Sequence, residues 1–564
     1  MQQRPIMAAQ FTALMGVLAL GFLLCAFCYV YVAHEDPAYL WDYGAYFEMY
    51  RSYGKSFTSV GSDWFARLVS SIMHDDYNAS FVVPLLPVYV VFGDSRTAYI
   101  FGTVLLFLIP SALLSATLVA NAITENDEIT VERFTLIVLA ALLYWPFWAP
   151  TLRGFPDAVG LLPLGVATHL MLRSRFLTVN SFRNAFRIGL LIWLAFLLRR
   201  WYAFAAVGLI VSSGLFCLLR IHEFAEDRRR YCWRAVIGFA TVPMVIVGCL
   251  AIFQRPLAIR ILTTDYNQLY AAYQQPIVVQ IYSIYETLGP LICAVAAIGT
   301  AFAVRARNVT VLFGLCASVI TFFSFSRTQA PTMQHMLPIC FWIFPAFGYG
   351  LICLFRSLPN LIRRMSMAIV FALLLASFAS VFSQAVRNDL AFMRAIFPVR
   401  TFFPLKIQNF GEYKRLIADI HRLVGDSEKF AVFASSYLMS DSLLHAIDPT
   451  LFQKLAWVSN IDLIDGMRLD TLRAEFALVT DPATSRASSE PQKVITIPAE
   501  RILGGVDFGA AYDRAAGPYF IAGGLKAYLY RRTRPLSDSE VNKLLEDFQK
   551  SYPKWRLDGN KTIH

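Results

Sequence analysis

The chain has 564 residues, 57% hydrophobic, 15% aromatic and 16% charged, with a formal net charge of +11. This lies outside the range of a soluble globular domain. Almost all the basic residues of the first 385 positions fall in short connections between apolar runs, so the charge describes membrane orientation and excludes nucleic-acid binding as the function.

Apolar runs of about 18 or more residues, each long enough to cross a bilayer as a helix, recur up to residue 385. The first, 8–33, is too long for a signal-peptide core and reads as a retained span that doubles as a signal anchor. Its Cys25 and Cys28 have no second pair or histidines nearby, which argues against a zinc or redox site. All nine cysteines lie in or beside apolar runs and none follows Cys353, so the C-terminal part has no disulfides available.

A long loop, 34–96, follows. Tyr39, Tyr43, Tyr46, Tyr50 and Tyr53 recur at spacings of 4, 3, 4 and 3 and form one stripe if the segment is helical. Tyrosine suits a boundary between apolar and wet surroundings, so a helix lying on the outer leaflet is expected, with Asp42 at the flank of the stripe at headgroup level.

The remaining spans read as 97–121, 134–150, 156–172, 187–198, 201–219, 235–253, 287–304, 308–325, 337–355 and 365–384, about 11 in all with the first. With a cytoplasmic N-terminus the inside loops hold Arg173, Arg175, Arg183 and Arg187, then Arg220, Arg228, Arg229, Arg230 and Arg234, then Arg305, Arg307, Arg356, Arg363 and Arg364. No Asp or Glu falls in the interior of a span, and the nearest, Asp94, Asp157 and Glu286, sit at outside mouths, which argues against a proton-coupled pump or symporter. The polar chemistry is expected at the outer face.

Beyond 385 the composition becomes that of a soluble domain. KFAVFAS, AEFALVTD, KVITIPA and LKAYLYRR read as strands, and IQNFGEYKRLIADIHRLVG and SEVNKLLEDFQKSY as amphipathic helices. The expected fold is a polytopic α-helical membrane domain over 1–385 and a C-terminal extracytoplasmic α/β or α+β domain over 386–564.

Several segments carry a family resemblance. An acidic residue follows the first span. HDDYNASFVVPLLPVYVVFGDSRTAYIFG, His74 to Gly102, closes a long outer loop and runs into the second span. TLRGFPDAVGLLPLGVA, Thr151 to Ala167, enters the fourth, and QHMLPICFWIFPAFGYG, Gln334 to Gly350, leads a late proline-containing span. In this layout residues 1–385 resemble the GT-C superfamily of membrane glycosyltransferases. They look like the branch that uses polyprenyl-phosphate sugars, with protein O-mannosyltransferases and the aminoarabinose transferase of lipid A. The chain departs from that pattern in having Glu35-Asp36 and then Asp42 where the family often has a paired Asp-Glu.

The resemblance implies an inverting transfer of a hexose or pentose from a polyprenyl-phosphate donor to a glycan or glycolipid acceptor of the cell envelope. The implied site is the periplasmic face of a bacterial inner membrane, in contact with membrane lipids. Such a transfer needs a carboxylate base for the acceptor hydroxyl. Asp42 is the expected base, with Asp75 or Asp76 orienting the acceptor or substituting. The phosphate leaving group calls for guanidinium groups at outer span ends, for which Arg153, Arg199, Arg200 and Arg327 are candidates, with His335 as an extra donor. Arginine can neutralise a monophosphate, so neither a metal nor another cofactor is expected. A transporter or flippase of lipid-linked saccharides would instead line several spans with polar groups, and a polysaccharide polymerase or ligase would carry its large outer loop late rather than first.

Overall fold

The computed structural model describes residues 22–555 apart from Pro37, Asn126, Glu128, 222–227, Ser357, 460–461, 486–491 and Lys554. Most of the expected span 8–33, and the side chain of Tyr43, lie outside the described residues. The chain forms two compact units, one containing residues up to 34, 46–264 and 274–404, the other 35–45, 265–273 and the chain from 405 onward.

The first unit is helical. Its elements are α1 (Phe22–Ala33), α2 (Trp41–Thr58, whose first five residues group with the second unit), α3 (Trp64–His74), α4 (Arg96–Thr124), α5 (Val131–Arg153), α6 (Ala158–Arg173), α7 (Ser181–Leu198), α8 (Tyr202–Leu219), α9 (Arg228–Phe253), α10 (Arg255–Thr263), α11 (Ile277–Ala306), α12 (Val309–Ser326), α13 (Leu337–Phe355) and α14 (Asn360–Phe382). Among the described residues nine of these are long and apolar enough to cross a membrane: α4, α5, α7 to α9 and α11 to α14. With the shorter α6, each of the ten expected spans after the first coincides with an apolar helix, and α1 covers the described end of the first. A further apolar helical stretch, Ala79–Phe92, lies in the loop before α4.

Helix α7 begins at Ser181, six residues before the expected start. Its first turns bury Ser181, Ala185 and Ile188 on one face and leave Arg183 exposed on the other. Such a stretch fails a hydropathy count yet is helical, because a long arginine side chain can reach away from the apolar surroundings. Helix α5 is interrupted at Leu143–Tyr144, where the Trp148 indole donates to the freed carbonyl of Leu142 at 2.8 Å. The Trp145 indole donates to the carbonyl of Thr287 at 2.8 Å. Backbone groups released by the break, and by the kink of α11 at Gly289, thereby find partners inside the protein, as a lipid environment demands.

Part of the tyrosine stripe is covered by protein, while Tyr39 and Tyr53 are half-exposed. Tyr46 and Tyr50 are buried, Tyr46 against Phe81 and Phe155 and Tyr50 against Tyr89 and Tyr99, with the Tyr50 hydroxyl donating to the carbonyl of Gly93. The spacing corresponds to a helix face, and residues of 77–99 together with Phe155 cover its Tyr46 and Tyr50 in place of lipid.

Helices α11 and α13 approach at Gly299 and Gly350. A Cβ at Gly299 would overlap the Ala346 carbonyl oxygen and fall 2.7 Å from the Gly350 amide nitrogen. Small residues let helix backbones pack closely where lipid offers no hydrophobic drive.

The second unit holds a five-stranded sheet in the order β2-β1-β3-β5-β4, made of β1 (Phe430–Phe433), β2 (Leu455–Ala456), β3 (Phe476–Asp481), β4 (Tyr512–Phe520) and β5 (Lys526–Arg532). Strand β1 runs parallel to β2 and β3, with Phe430 opposite Phe476, while β5 is antiparallel to β3 and β4. Its main helices are α15 (Phe410–Leu423), α16 (Asp441–Ile447), α17 (Lys493–Gly504) and α18 (Asp538–Ser551). KVITIPA, expected as a strand, is the first half of α17. Val494, Ile495, Pro498, Ala499 and Ile502 are buried, a recurrence of three and four that packs against Ala431, Phe433, Ala477 and Val479. The β-branched run masked that period. Strand β4 was missed because charged and small residues leave it little burial.

Residues 35–45 are held to the second unit by backbone and side-chain bonds. The Asp36 amide donates to the carbonyl of Leu405 at 2.8 Å, its carboxylate accepts from the Ile407 amide at 3.1 Å, and the Trp41 amide donates to Ser442 Oγ at 3.1 Å.

Within this unit Asp462 is buried. Its carboxylate accepts from the Val494 amide at 3.0 Å, from the Tyr552 hydroxyl at 2.6 Å and from Ser459 Oγ at 3.1 Å. Burial nonetheless pushes its carboxyl up from 3.8 to about 6. The native state therefore keeps this proton to higher pH than the unfolded chain does, and the associated stability is full below 3.8 and lost as pH rises through about 6.

Two predictions follow from these packing arrangements. Gly299→Ala is expected to lower the melting temperature of the detergent-solubilised protein, at a cost on the order of 1–3 kcal/mol from overpacking. Gly248→Ala, whose Cβ meets open space, should not lower it. In chemical denaturation followed by tryptophan fluorescence, the second unit should lose about 2–3 kcal/mol between pH 4 and 7 through Asp462. Asp462→Asn should make that part of the profile shallower, with buried Asp441, also pushed up to about 6, supplying a remaining slope, and an unchanged slope would exclude the assignment.

Candidate functional site

Helix α6 opens directly after Asp157, and the turn between α7 and α8 presents Arg199, Arg200 and Trp201. These two connections meet. Asp157 is fully buried, and its Oδ1 accepts from Arg199 Nε at 3.0 Å and from the Trp201 indole at 2.5 Å, while its carbonyl accepts from the Tyr202 hydroxyl at 2.8 Å. The Arg199 side chain is only 5% exposed. Its Nη1 donates to the Tyr46 hydroxyl at 2.5 Å, and its guanidinium stands 4.5 Å from the centre of the Tyr46 ring and 5.7 Å from that of Tyr77. Burial acts against its charge, but Asp157 and then Tyr46 more than offset that and hold the guanidinium above its ordinary range.

His335 packs against this cluster, with its ring 5.2 Å from Trp201 and 4.5 Å from Phe325. Its Nδ1 accepts from the Thr332 amide at 3.3 Å, which leaves the ring proton on Nε2. Burial, and then the charge of Arg199, push the imidazole down to about 3. His335 is therefore a neutral Nε2–H donor at physiological pH, with one edge still accessible.

Beside the buried pair lies a more open one. The two oxygens of Asp76 bind separate arginines, Oδ2 with Arg200 Nη1 at 2.6 Å and Oδ1 with Arg260 Nη2 at 2.7 Å. Arg260 also donates to the carbonyl of His74 at 2.5 Å. Asp75 points elsewhere, accepting from Ser71 Oγ at 2.7 Å at the end of α3. Two guanidinium groups share one carboxylate, so a net positive charge remains at an accessible edge.

The structure thus brings together Arg199, Arg200, His335 and Asp76. Arg153 ends α5, four residues before Asp157; its carbonyl accepts from Arg96 Nη2 at 2.9 Å, and its own Nη1 is buried without a partner among the described residues. Arg327 is exposed and has no ion-pair partner among them. Asp42 stands half-exposed in the first turn of α2, and its carboxylate has neither a hydrogen-bond nor an ion-pair partner among the described residues. In this it differs from Asp36, Asp75, Asp76 and Asp157. No group of three His, Cys, Asp or Glu side chains among the described residues converges as a metal-holding set.

Sequence reasoning missed Asp157 as the partner of Arg199, Tyr46 as its cover, and Arg260. A signal for Arg260 was present, since it is a basic residue in a connection that the arginine pattern assigns to the outer side. Tyr46 carried none beyond its place in the stripe.

No family model matches the chain, and no curated protein matches it. Among solved structures it is similar to ArnT from Cupriavidus metallidurans in the apo state, with a TM-score of 0.49 and 12% identity over 92% of this chain and 98% of that one. A structure of the same protein bound to undecaprenyl phosphate gives 0.49 and 13%, over 91% and 98%. The archaeal oligosaccharyltransferase AglB from Archaeoglobus fulgidus, in complex with an inhibitory peptide and a dolichol-phosphate, gives 0.37 and 13%, over 77% and 63%.

Removing one member of the buried pair leaves an uncompensated charge out of water. Asp157→Ala is expected to cost about 3–5 kcal/mol, read as a loss of thermal stability in detergent. Asp94→Ala, which removes only the exposed ion pair of Asp94 with Arg51, should cost no more than about 1 kcal/mol. Equal melting temperatures for the two variants would show that Arg199 is solvated.

Proposed function

We propose that the chain is an inverting membrane glycosyltransferase that moves a sugar from a polyprenyl phosphate to a hydroxyl of a cell-envelope glycan or glycolipid, at the outer face of a bacterial inner membrane. The observation that carries this reading is the arrangement around Arg199, Arg200 and Arg260. It consists of a rigid guanidinium fixed by Asp157, two further guanidiniums sharing Asp76, and a neutral imidazole N–H at the same helix ends. It sits on the segments whose residues resemble the GT-C superfamily.

The donor phosphate gains charge as the bond from its oxygen to the anomeric carbon breaks. Arg200 and Arg260 meet that charge by exchanging part of their contact with Asp76 for the phosphate oxygens, and His335 donates from Nε2. Preorganised donors of this kind are often the largest catalytic term. Arg199 acts through position, holding the turn that carries Arg200, because its own donors are committed to Asp157 and Tyr46. Arg153 and Arg327 are assigned to the lipid phosphate and its approach.

The acceptor oxygen attacks the anomeric carbon from the face opposite the leaving phosphate, and its proton passes to a carboxylate. Asp42 is the proposed base. A half-exposed carboxylate without a partner can take a proton, whereas Asp76 is neutralised by two arginines and Asp75 is tied to Ser71. Asp75 and Asp76 are retained as residues that position the acceptor. The reaction requires no metal in this reading.

The test is transfer of radiolabelled sugar from a panel of polyprenyl-phosphate hexoses and pentoses to an envelope glycolipid fraction, in membranes containing the protein. Asp42→Asn should lower the rate about 10²–10⁴-fold without lowering the amount of folded protein. Arg200→Ala and Arg260→Ala should each lower it about 10-fold or more. Full activity of Asp42→Asn would remove that residue from the mechanism. Movement of an intact lipid-linked saccharide across the membrane without transfer would replace the transferase reading with that of a flippase.

A further inference from the structure

Helices α6, α8 and α12 each have one end at the Asp157–Arg199–His335 cluster. At 16 to 18 residues and about 1.5 Å per residue they place their other ends roughly 24–27 Å away. At those far ends a cavity of about 410 Å³ opens among the C-termini of α6, α8 and α11 and the N-terminus of α12. Arg175, Arg220 and Arg307 line it together with Glu125.

The carboxylate is already committed. Glu125 accepts from the amides of Val309 at 2.9 Å and Thr310 at 3.1 Å and from Thr310 Oγ1 at 2.5 Å, which satisfies the start of α12. The helix end therefore takes no further anion, and whatever enters must be held by the arginines. Among the described residues neither Arg175 nor Arg307 has a carboxylate partner.

The backbone is bent to place these two side chains. Arg175, Phe176 and Leu177 have φ of 47°, 56° and 66°, and Arg307 has 51°. Non-glycine residues in the left-handed region are uncommon, and such strain persists only where the surroundings over-determine it. Here Phe176 and Leu177 are buried, and the Phe176 ring packs against Phe216 and Phe313 at 5.6 and 5.3 Å. Both locked residues turn inward, which leaves Arg175 at the cavity. The remaining wall is Leu172, Phe176, Ala306 and Val309, with Thr310 as its polar member.

We propose that this cavity binds a phosphate group, carried either by an anionic phospholipid or by a soluble phosphate ester, with Arg175 and Arg307 as its principal ligands. Guanidinium forks match phosphate oxygens, and basic pockets between membrane helices suit lipid headgroups. The site is separate from the transferase cluster and does not depend on that reading.

The test uses the full chain, purified in detergent and stripped of lipid. Phosphatidylglycerol should raise the melting temperature saturably and phosphatidylcholine should not, and the effect should weaken at high salt. Arg175→Ala with Arg307→Ala should weaken the apparent affinity at least tenfold, whereas the double lysine variant should keep most of it. Arg234→Ala, an arginine outside the cavity, should bind as wild type. The single Arg307→Ala variant, at an exposed helix end, gives the same reading if the double variant is not monodisperse. A phosphatidylglycerol effect that millimolar inorganic phosphate does not displace assigns the site to a lipid headgroup. A shift produced by inorganic phosphate alone assigns it to a soluble ester. Equal responses to the two lipids together with none to phosphate, or an alanine variant that binds as wild type, would overturn the proposal.

Discussion

A guanidinium held out of water between a carboxylate and a tyrosine ring is the constraint on which the helical unit depends. Arg199 cannot lose Asp157 without leaving a buried charge, so the turn between α7 and α8 is fixed to the start of α6. The same bond fixes Trp201 and, through it, the environment of His335. Buried ion pairs of this kind contribute little net stability over an apolar substitute, but breaking one is costly. Its consequence is geometric definition of the helix ends, with Arg200 carried at the rim.

The neighbouring acids illustrate how environment sorts chemically identical groups. Asp157 is a structural anchor, Asp76 a bridge between two cations, Asp75 a helix-end acceptor and Asp36 a tether to residues 405–407. Asp42 has none of these commitments. A carboxylate acting as a base needs a free lone pair at the moment of reaction, and this distinction, more than proximity in sequence, separates it from the others.

Two arginine-bearing regions occupy opposite ends of α6, α8 and α12. One has its guanidiniums tied to acids, giving a rigid surface with modest net charge. The other holds Arg175 and Arg307, which have no carboxylate partner among the described residues, on a backbone strained into place. The same residue type thereby meets different surroundings at the two ends, and the pairing of each arginine sets how free its guanidinium is.

The amino-acid sequence by itself determined the membrane class, the position of nearly every apolar helix, and the C-terminal strands β1, β3 and β5 and helices α15 and α18. These rest on hydropathy and on periods of 3.6 and 2, which are local properties. Only the tertiary structure decided that Arg199 is locked while Arg200 is at the rim, that Arg260 joins it, that Tyr46 and Tyr50 of the tyrosine stripe are buried, and that KVITIPA is helical. Each of these depends on a partner far along the chain. Tyr46 meets Arg199 across 153 positions and Arg260 meets Asp76 across 184. Such pairings are set by how helices pack against one another, and no spacing within a single segment encodes them.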